Sequence, residues 1–368
     1  MPSALRSPFP WHGGKSAIAP AIWARLGDTP NYVEPFAGSA AVLLARPHDL
    51  EGKTETINDA DSLVENAWRA ITYATEETAF YCDRIVSEAS LTAAHLHLKA
   101  ARDELTSRVC ADPFYCDPAL AGLWLFGIAS WIGGGWCVAD GPWIAVDGRL
   151  VDRRTIGSEE EGVKKQMPIV GAGNHGASGH NGVNAERYRA GVPKQMPMVA
   201  SPGEGRTGHN VGVSAYTTPA ALLAYFARLS DRLRRVRILC GDWRRVVKPS
   251  ITVNHGLSAV LLDPPYPSAE HDMRYHGDND IWHQAAALAI ENGDNPKLRI
   301  CVCGYWSEQT DALFPPTWER LRWEARGGYA NQSADGRGRA NAKREVIFFS
   351  PHCIDAATDY GPLFEELA

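Results

Sequence analysis

Apolar and polar positions along this chain repeat with two different periods. Short, mostly apolar runs bounded by polar residues read as strands over Tyr32 to Glu34, Thr54 to Asp59, Val236 to Cys240, Ala259 to Leu262, Leu298 to Val302, Arg320 to Ala325 and Glu345 to Phe349. Helical spacing of apolar residues marks Ile18 to Leu26, a short stretch after Ala40, Glu65 to Ala74, Glu76 to Ala89, Leu91 to Leu105, Asp117 to Trp131 and Ile281 to Glu291. Strands interleaved with helices predict an α/β fold. Ala259 to Leu262 is apolar at every position, as expected of a parallel strand covered on both faces. Acids stand at or just past several strand ends: Glu34, Asp59, Asp242 and Asp263. In open α/β sheets, ligands lie beyond the carboxyl ends of the strands.

The sharpest of these endings is Asp263-Pro264-Pro265-Tyr266. Proline has no N–H and a fixed φ, so the strand stops and the backbone stiffens. Asp263 can accept a hydrogen bond from an exocyclic amino group, the Pro264 carbonyl can accept that group's second N–H, and Tyr266 can stack on the flat base carrying it. The same four residues also suit a plain strand-ending turn. The tetrapeptide alone leaves both readings open.

Composition narrows the class. The chain has 368 residues, room for one large or two ordinary domains, with apolar and charged fractions of 45% and 22% that are ordinary for a globular protein. No apolar run approaches the roughly 20 residues of a membrane span, and Met1 to Pro10 lacks the pattern of a signal peptide. A cytoplasmic protein is the expectation. The eight cysteines are scattered, without zinc spacing, and His95 and His97 face different sides of a helix, so no metal is expected. A net charge of −6 does not advertise nucleic acid, so any such surface must be local.

At the start, Gly13-Gly14-Lys15-Ser16 suggests a P-loop, but Phe9 stands where that motif needs a glycine, and no strand precedes it. Tyr32 to Leu44 reads as strand, tight turn and helix, the first unit of a nucleotide-binding sheet, although Gly38 is its only glycine. Asp59 stands where such folds bind ribose hydroxyls, and could equally cap the helix that follows.

Taken together, Trp11-x-Gly-Gly-Lys15, Glu34-Pro-Phe-x-Gly38, Asn58-Asp59, Cys240-Gly241-Asp242 and Asp263-Pro-Pro-Tyr266 stand in the order found in Dam-type (D12 class) DNA adenine-N6 methyltransferases. The resemblance covers roughly residues 6–72 and 235–350. One departure is Ala40, where the family usually has a further glycine. The resemblance implies a Rossmann-like methyltransferase with a mixed seven-stranded sheet, dependent on S-adenosylmethionine and acting on double-stranded DNA, with a mainly helical and loop recognition insert. The catalytic domain is then residues 1–64 and 234–352, the insert 65–233 and the tail 353–368. Trp11 and Lys15 match the motif lining the cofactor pocket, Glu34, Phe36 and Gly38 the methionine-side loop, Asp59 the ribose-binding acid and Asp242 a position beside the cofactor adenine. Asp263, Pro264, Pro265 and Tyr266 match the catalytic loop, with Asp263 also next to the cofactor. The implied reaction is methyl transfer to N6 of a flipped-out adenine, in a restriction–modification or phage setting. Cytosine-N4 methylation and a non-catalytic DNA-binding module are the alternatives; a serine in place of Asp263 is commoner for the first, and the second does not need the intact motif.

Two further features bear on DNA. Arg228, Arg232, Arg234, Arg235 and Arg237, then Arg244, Arg245 and Lys248, form the densest basic run, and Arg337, Arg339, Lys343 and Arg344 form another. Such runs are often solvated faces; flanking a catalytic loop, they are expected to meet phosphates. Lys165-Gln-Met-Pro-Ile-Val170 recurs as Lys194-Gln-Met-Pro-Met-Val199, and Gly179-His-Asn181 as Gly208-His-Asn210. This duplicated loop reads either as a base-reading element or as a segment disordered without DNA, and the glycine stretch between Trp131 and Trp136 either as a hinge admitting a strand of nucleic acid or as a plain turn.

Overall fold

The computed structural model describes residues 5–11, 13–47, 49–112, 114–131, 136–137, 143–146, 149–152, 218–266, 281–324 and 344–355. The duplicated loop, the glycines between Trp131 and Trp136, the basic residues Arg337, Arg339 and Lys343, and most of the tail lie outside the described residues.

The strands are β1 (Asn31–Glu34), β2 (Thr54–Asp59), β5 (Val236–Cys240), β6 (Ser258–Leu262), β7 (Leu298–Tyr305), β8 (Glu319–Arg322) and β9 (Glu345–Phe349), in the order β5-β2-β1-β6-β7-β9-β8. β5, β2, β1, β6 and β7 run parallel, and β9 is antiparallel to both its neighbours. The expected mixed seven-stranded sheet is therefore present. Its strand order reverses between β1 and β6: from β1 the chain proceeds outward to β2 and β5, and from β6 outward to β7. This is the switch point at which α/β sheets open a crevice. β1, β6 and β9 are buried along their whole lengths, as strands with both faces covered must be.

The helices are α1 (Ala19–Leu26), α2 (Ala41–Leu44), α3 (Ser62–Tyr73), α4 (Thr75–Cys82), α5 (Glu88–Ala111), α6 (Pro118–Ser130), α7 (Pro219–Leu233), α8 (Ile281–Asn292) and α9 (Glu308–Leu313). Their starts are written locally. Asp61, Ser87, Asp117 and Thr218 each accept a hydrogen bond from a first-turn N–H, with proline opening α6 and α7, and Ser307 with Thr310 forms a capping box on α9. The Glu76 to Ala89 pattern breaks at Cys82, because Ser87 caps a new helix. β3 (Trp143–Val146) and β4 (Arg149–Asp152) pair as an antiparallel hairpin within a stretch expected to be helix and loop.

α3 packs on β2 and β5, and α7 lies against α3 and α4, so both ends of the 65–233 segment are built into the layer over the sheet. α6 stacks on α3, α4 and α5 beyond that layer. Buried Glu55 on β2 pairs with Arg232 of α7 at 2.6 Å and with Arg46, just after α2, at 3.1 Å. Arg232 is thus an internal tie rather than a phosphate-facing residue. An aromatic cluster of Phe9, Trp11, Trp68 and Trp124, with centroids 4.8 to 6.4 Å apart, seats the N-terminal segment on α3 and α6.

Candidate active site

The carboxyl ends of the parallel strands and the amino end of β9 share one edge of the sheet. Because β9 is antiparallel, its first residue, Glu345, stands in register with Tyr305, the last residue of β7. The edge therefore carries Glu34, Asp59, Gly241-Asp242, Asp263, Tyr305 and Glu345.

On the β1–β2–β5 side, Glu34 is buried and accepts a hydrogen bond from Tyr32 Oη at 2.9 Å, on the same face of β1. Burial pushes its carboxyl up to about 8, opposed by that hydroxyl and aggravated by Asp263. Asp59 accepts from Gly38 N and from Asp61 N, each at 2.9 Å. Burial pushes it up to about 7 although one edge still reaches solvent, and the two backbone donors oppose the shift. Neither acid makes an ion pair among the described residues. Asn58 donates to the carbonyls of Pro35 and Gly241, each at 3.0 Å, tying the turn after β1 to the turn after β5. Its own Oδ1 is buried and has no hydrogen-bond partner among the described residues.

The turn after β1 requires unusual backbone. Gly38 has φ +46, and a Cβ there would sit 2.2 Å from Trp11 Nε1. The indole of the first motif therefore packs on the glycine of the second. Ala40 has φ +49 and ψ 32, a left-handed conformation costly for a residue with a side chain. This is the position at which the methyltransferases it resembles usually carry glycine. Beyond it, half-exposed Phe36 lies 5.4 Å from the ring of Trp243, which follows Asp242.

On the β6–β7–β9 side, Asp263 is gripped from two directions. Its Oδ2 pairs with Lys15 Nζ at 2.9 Å, and its Oδ1 accepts from Tyr266 Oη at 2.9 Å. Lys15 is buried, donates to the Gly13 carbonyl at 2.6 Å and lies 5.3 Å from the Tyr266 ring centroid. Burial works against its charge, but Asp263 and Glu345 outweigh it and hold the ammonium above its ordinary range. Tyr266 also reaches Glu345 Oε2 at 3.2 Å, and its ring meets Tyr305 edge-on at 4.6 Å. Burial lifts the Glu345 carboxyl to about 7; Lys15 pulls it down and Asp263 pushes it up.

Of the residues named from the sequence, Lys15, Asp263 and Tyr266 form one contacting cluster, Trp11 and Gly38 a second, and Gly38 and Asp59 a hydrogen-bonded pair. Pro264 is buried and Pro265 half-buried beside them. Asp242 and Arg244 pair with each other on the surface at 2.6 Å, and that guanidinium holds the carboxyl below its usual range. Arg245 is exposed and donates to the Cys240 carbonyl at 3.0 Å. Lys248 is not brought to this edge: its carbonyl caps the turn at Ile251, which docks on Asn31 at the opposite end of β1. Glu345 and Tyr305 escaped the sequence reading. The only signal was a glutamate opening an apolar strand, and its meaning depends on that strand running backwards.

His95 is buried, stacked on Trp131 at 5.0 Å, and accepts from Cys137 N at 3.2 Å; it is a packing residue of α5. Among the described residues no group of three or more His, Cys, Asp or Glu could hold a metal ion, and no helix is long and apolar enough to cross a membrane.

Residues 11–106 match the family model described as D12 class N6 adenine-specific DNA methyltransferase. The match begins at Trp11, takes in β1, β2 and α3, and ends within α5, before the Asp263 loop. No curated protein matches the chain.

Proposed function

We propose, starting from an adenine-specific DNA methyltransferase of the D12 class, that the crevice at the β1–β6 switch point binds S-adenosylmethionine on one side and an adenine turned out of duplex DNA on the other. The donor set suits that cofactor. Glu34 and Asp59 are acids without ion-pair partners among the described residues, ready for a cationic ligand bearing ribose hydroxyls. Asn58 Oδ1 is a buried acceptor awaiting a donor. Gly38 brings backbone within reach of a ligand, and Phe36 offers a ring. When bound, the cofactor supplies an electrophilic methyl group.

The chain's own residues then position the acceptor. Adenine inside a duplex presents N6 to its partner base, so the base leaves the stack before it can react. Asp263 and the Pro264 carbonyl accept the two N6–H bonds, drawing the nitrogen lone pair out of conjugation and toward the methyl group. Lys15 holds Asp263 in place, so that its orientation is set before the substrate arrives. Most of the acceleration comes from placement and pre-set charge. Arg244 and Arg245, at the same edge, are offered to the DNA backbone.

The observation that carries this reading is the Lys15–Asp263–Tyr266 cluster beside the unpaired acids of β1 and β2. The test is incubation of the purified chain with duplex DNA and methyl-labelled S-adenosylmethionine, followed by digestion to nucleosides. Label in N6-methyladenine is expected; label in N4-methylcytosine, or in neither, refutes the reading. Methylation-sensitive sequencing of DNA from cells expressing the chain then gives the recognised site.

A further inference from the structure

We propose, resting on that reading of the site, that Glu345 is a positioning residue: it competes with Asp263 for the hydroxyl proton of Tyr266 and so decides whether Asp263 Oδ1 is open to the adenine amine. The geometry is one donor between two acceptors. Tyr266 Oη lies 2.9 Å from Asp263 Oδ1 and 3.2 Å from Glu345 Oε2. A phenol has a single O–H, so full donation goes to one carboxylate at a time. Lys15 already occupies Asp263 Oδ2. While Tyr266 donates to Asp263, both carboxylate oxygens have an internal donor, and the incoming amine competes with Tyr266 for Oδ1.

An ionised Glu345 offers the phenol a second anionic acceptor, and turning the O–H toward it leaves Oδ1 for the amine. A protonated Glu345 instead donates its own O–H to Tyr266 Oη, which strengthens the donation from Tyr266 to Asp263. The side chain is held for this. Glu345 opens fully buried β9 in register with Tyr305, and its backbone carbonyl accepts from Trp323 N at 3.1 Å. The charged and titratable groups around it are Lys15 from the N-terminal segment, Asp263 and Tyr266 from the loop after β6, Cys303 and Tyr305 from β7, and adjacent Arg344. With the Glu345 carboxyl at about 7, the competition turns over near neutral pH.

The experiment is single-turnover methyl transfer to duplex DNA at saturating S-adenosylmethionine, which keeps Glu34 and Asp59 out of the readout, over roughly pH 6 to 9. Wild-type transfer is expected to rise about 10-fold through a midpoint near 7, the worth of one hydrogen bond. In Glu345→Gln the neutral amide loses Tyr266 to charged Asp263. Its transfer is expected to be flat with pH and about 10-fold below wild type on the alkaline side, with cofactor affinity unchanged. Tyr266→Phe removes the shared donor, so the pH limb vanishes there too, and adding Glu345→Gln costs nothing more. A Glu345→Gln protein with the wild-type rate and pH profile overturns the inference, as does an undiminished effect of that change in the Tyr266→Phe background. Should Glu345→Gln fail to bind cofactor, Tyr266→Phe decides alone: a retained pH limb overturns the inference. A wild-type chain that methylates no adenine defeats the reading of the site, whereas an active wild type with an unaltered Glu345→Gln defeats only the role of Glu345.

Discussion

The two sides of the crevice hold their acids in different ways. On the β1–β2–β5 side, Glu34 takes its hydrogen bond from Tyr32 two residues away, and Asp59 takes both of its own from backbone N–H groups of neighbouring turns. On the β6–β7–β9 side, Asp263 depends on Lys15 from the far N-terminal end and on a tyrosine shared with Glu345. The first side leaves its carboxyls without cations among the described residues, and burial raises both toward neutrality or above it, a demand that a positively charged ligand meets. The second neutralises its carboxylate in advance and fixes its direction. A binding surface gains from unmet electrostatic demand, whereas a positioning surface gains from having none.

The sharpest way to break this contrast is to exchange the carboxylates for amides. Asp263→Asn is expected to lower methyl transfer by about 10³-fold while S-adenosylmethionine affinity stays within about threefold. Glu34→Gln is expected to weaken cofactor binding about 10-fold and to spare transfer at saturating cofactor. Labelled methyl transfer and a binding titration separate the two; equal losses of affinity would erase the distinction. Asp263→Ala also leaves Lys15 buried without its partner, and a stability loss of about 3 kcal/mol is expected in urea unfolding.

Next in size is the seam between the two N-terminal motifs. Gly38→Ala places a Cβ 2.2 Å from the Trp11 indole at a positive φ. It is expected to cost about 2 kcal/mol of stability and to weaken cofactor binding through the displaced Asp59 contact. A denaturation midpoint identical to wild type would contradict this.

The pH dependence probes the β1–β2–β5 side, where the cofactor is proposed to lie. Glu34 at about 8 and Asp59 at about 7 lie above their unfolded values, so these two groups bind their protons more tightly in the folded chain than in the unfolded one. Their contribution to stability without cofactor is therefore fully present below the unfolded carboxylate range and is lost as pH rises through it, up to about 7 to 8. Binding of a cationic cofactor is expected to release protons near pH 7, read as a dependence of the calorimetric heat on buffer ionisation enthalpy. No proton release would mean that the two acids do not face the ligand's charge.

The smallest expected effect is a gain. Ala40→Gly relieves a left-handed alanine and is expected to raise stability by about 1 kcal/mol, with transfer unchanged.

Much of this architecture was legible because its signals are local. The strand-ending acids and the rigid Pro264-Pro265 turn depend on residues a few positions apart, whereas the cap of α3, open to Asp59 in the sequence, falls to Asp61, whose N–H Asp59 accepts instead. Arg232 was misjudged for the opposite reason: it stands in a basic run, yet its partner Glu55 comes from another strand, and only packing brings them together. Lys248 likewise belongs to a basic run, but the chain there turns back toward the amino end of β1.

By itself the sequence determined the α/β class, the order of motifs and the carboxylates at the ends of β1, β2 and β6, because strand period, proline and capping chemistry act over short distances. Only the tertiary structure decided that Lys15 meets Asp263, that Trp11 rests on Gly38 and that Glu345 shares Tyr266. Those contacts join segments distant in the chain, and one hinges on the reversed direction of β9. Strand direction and register are settled by how a whole sheet packs, so no local window of residues encodes them.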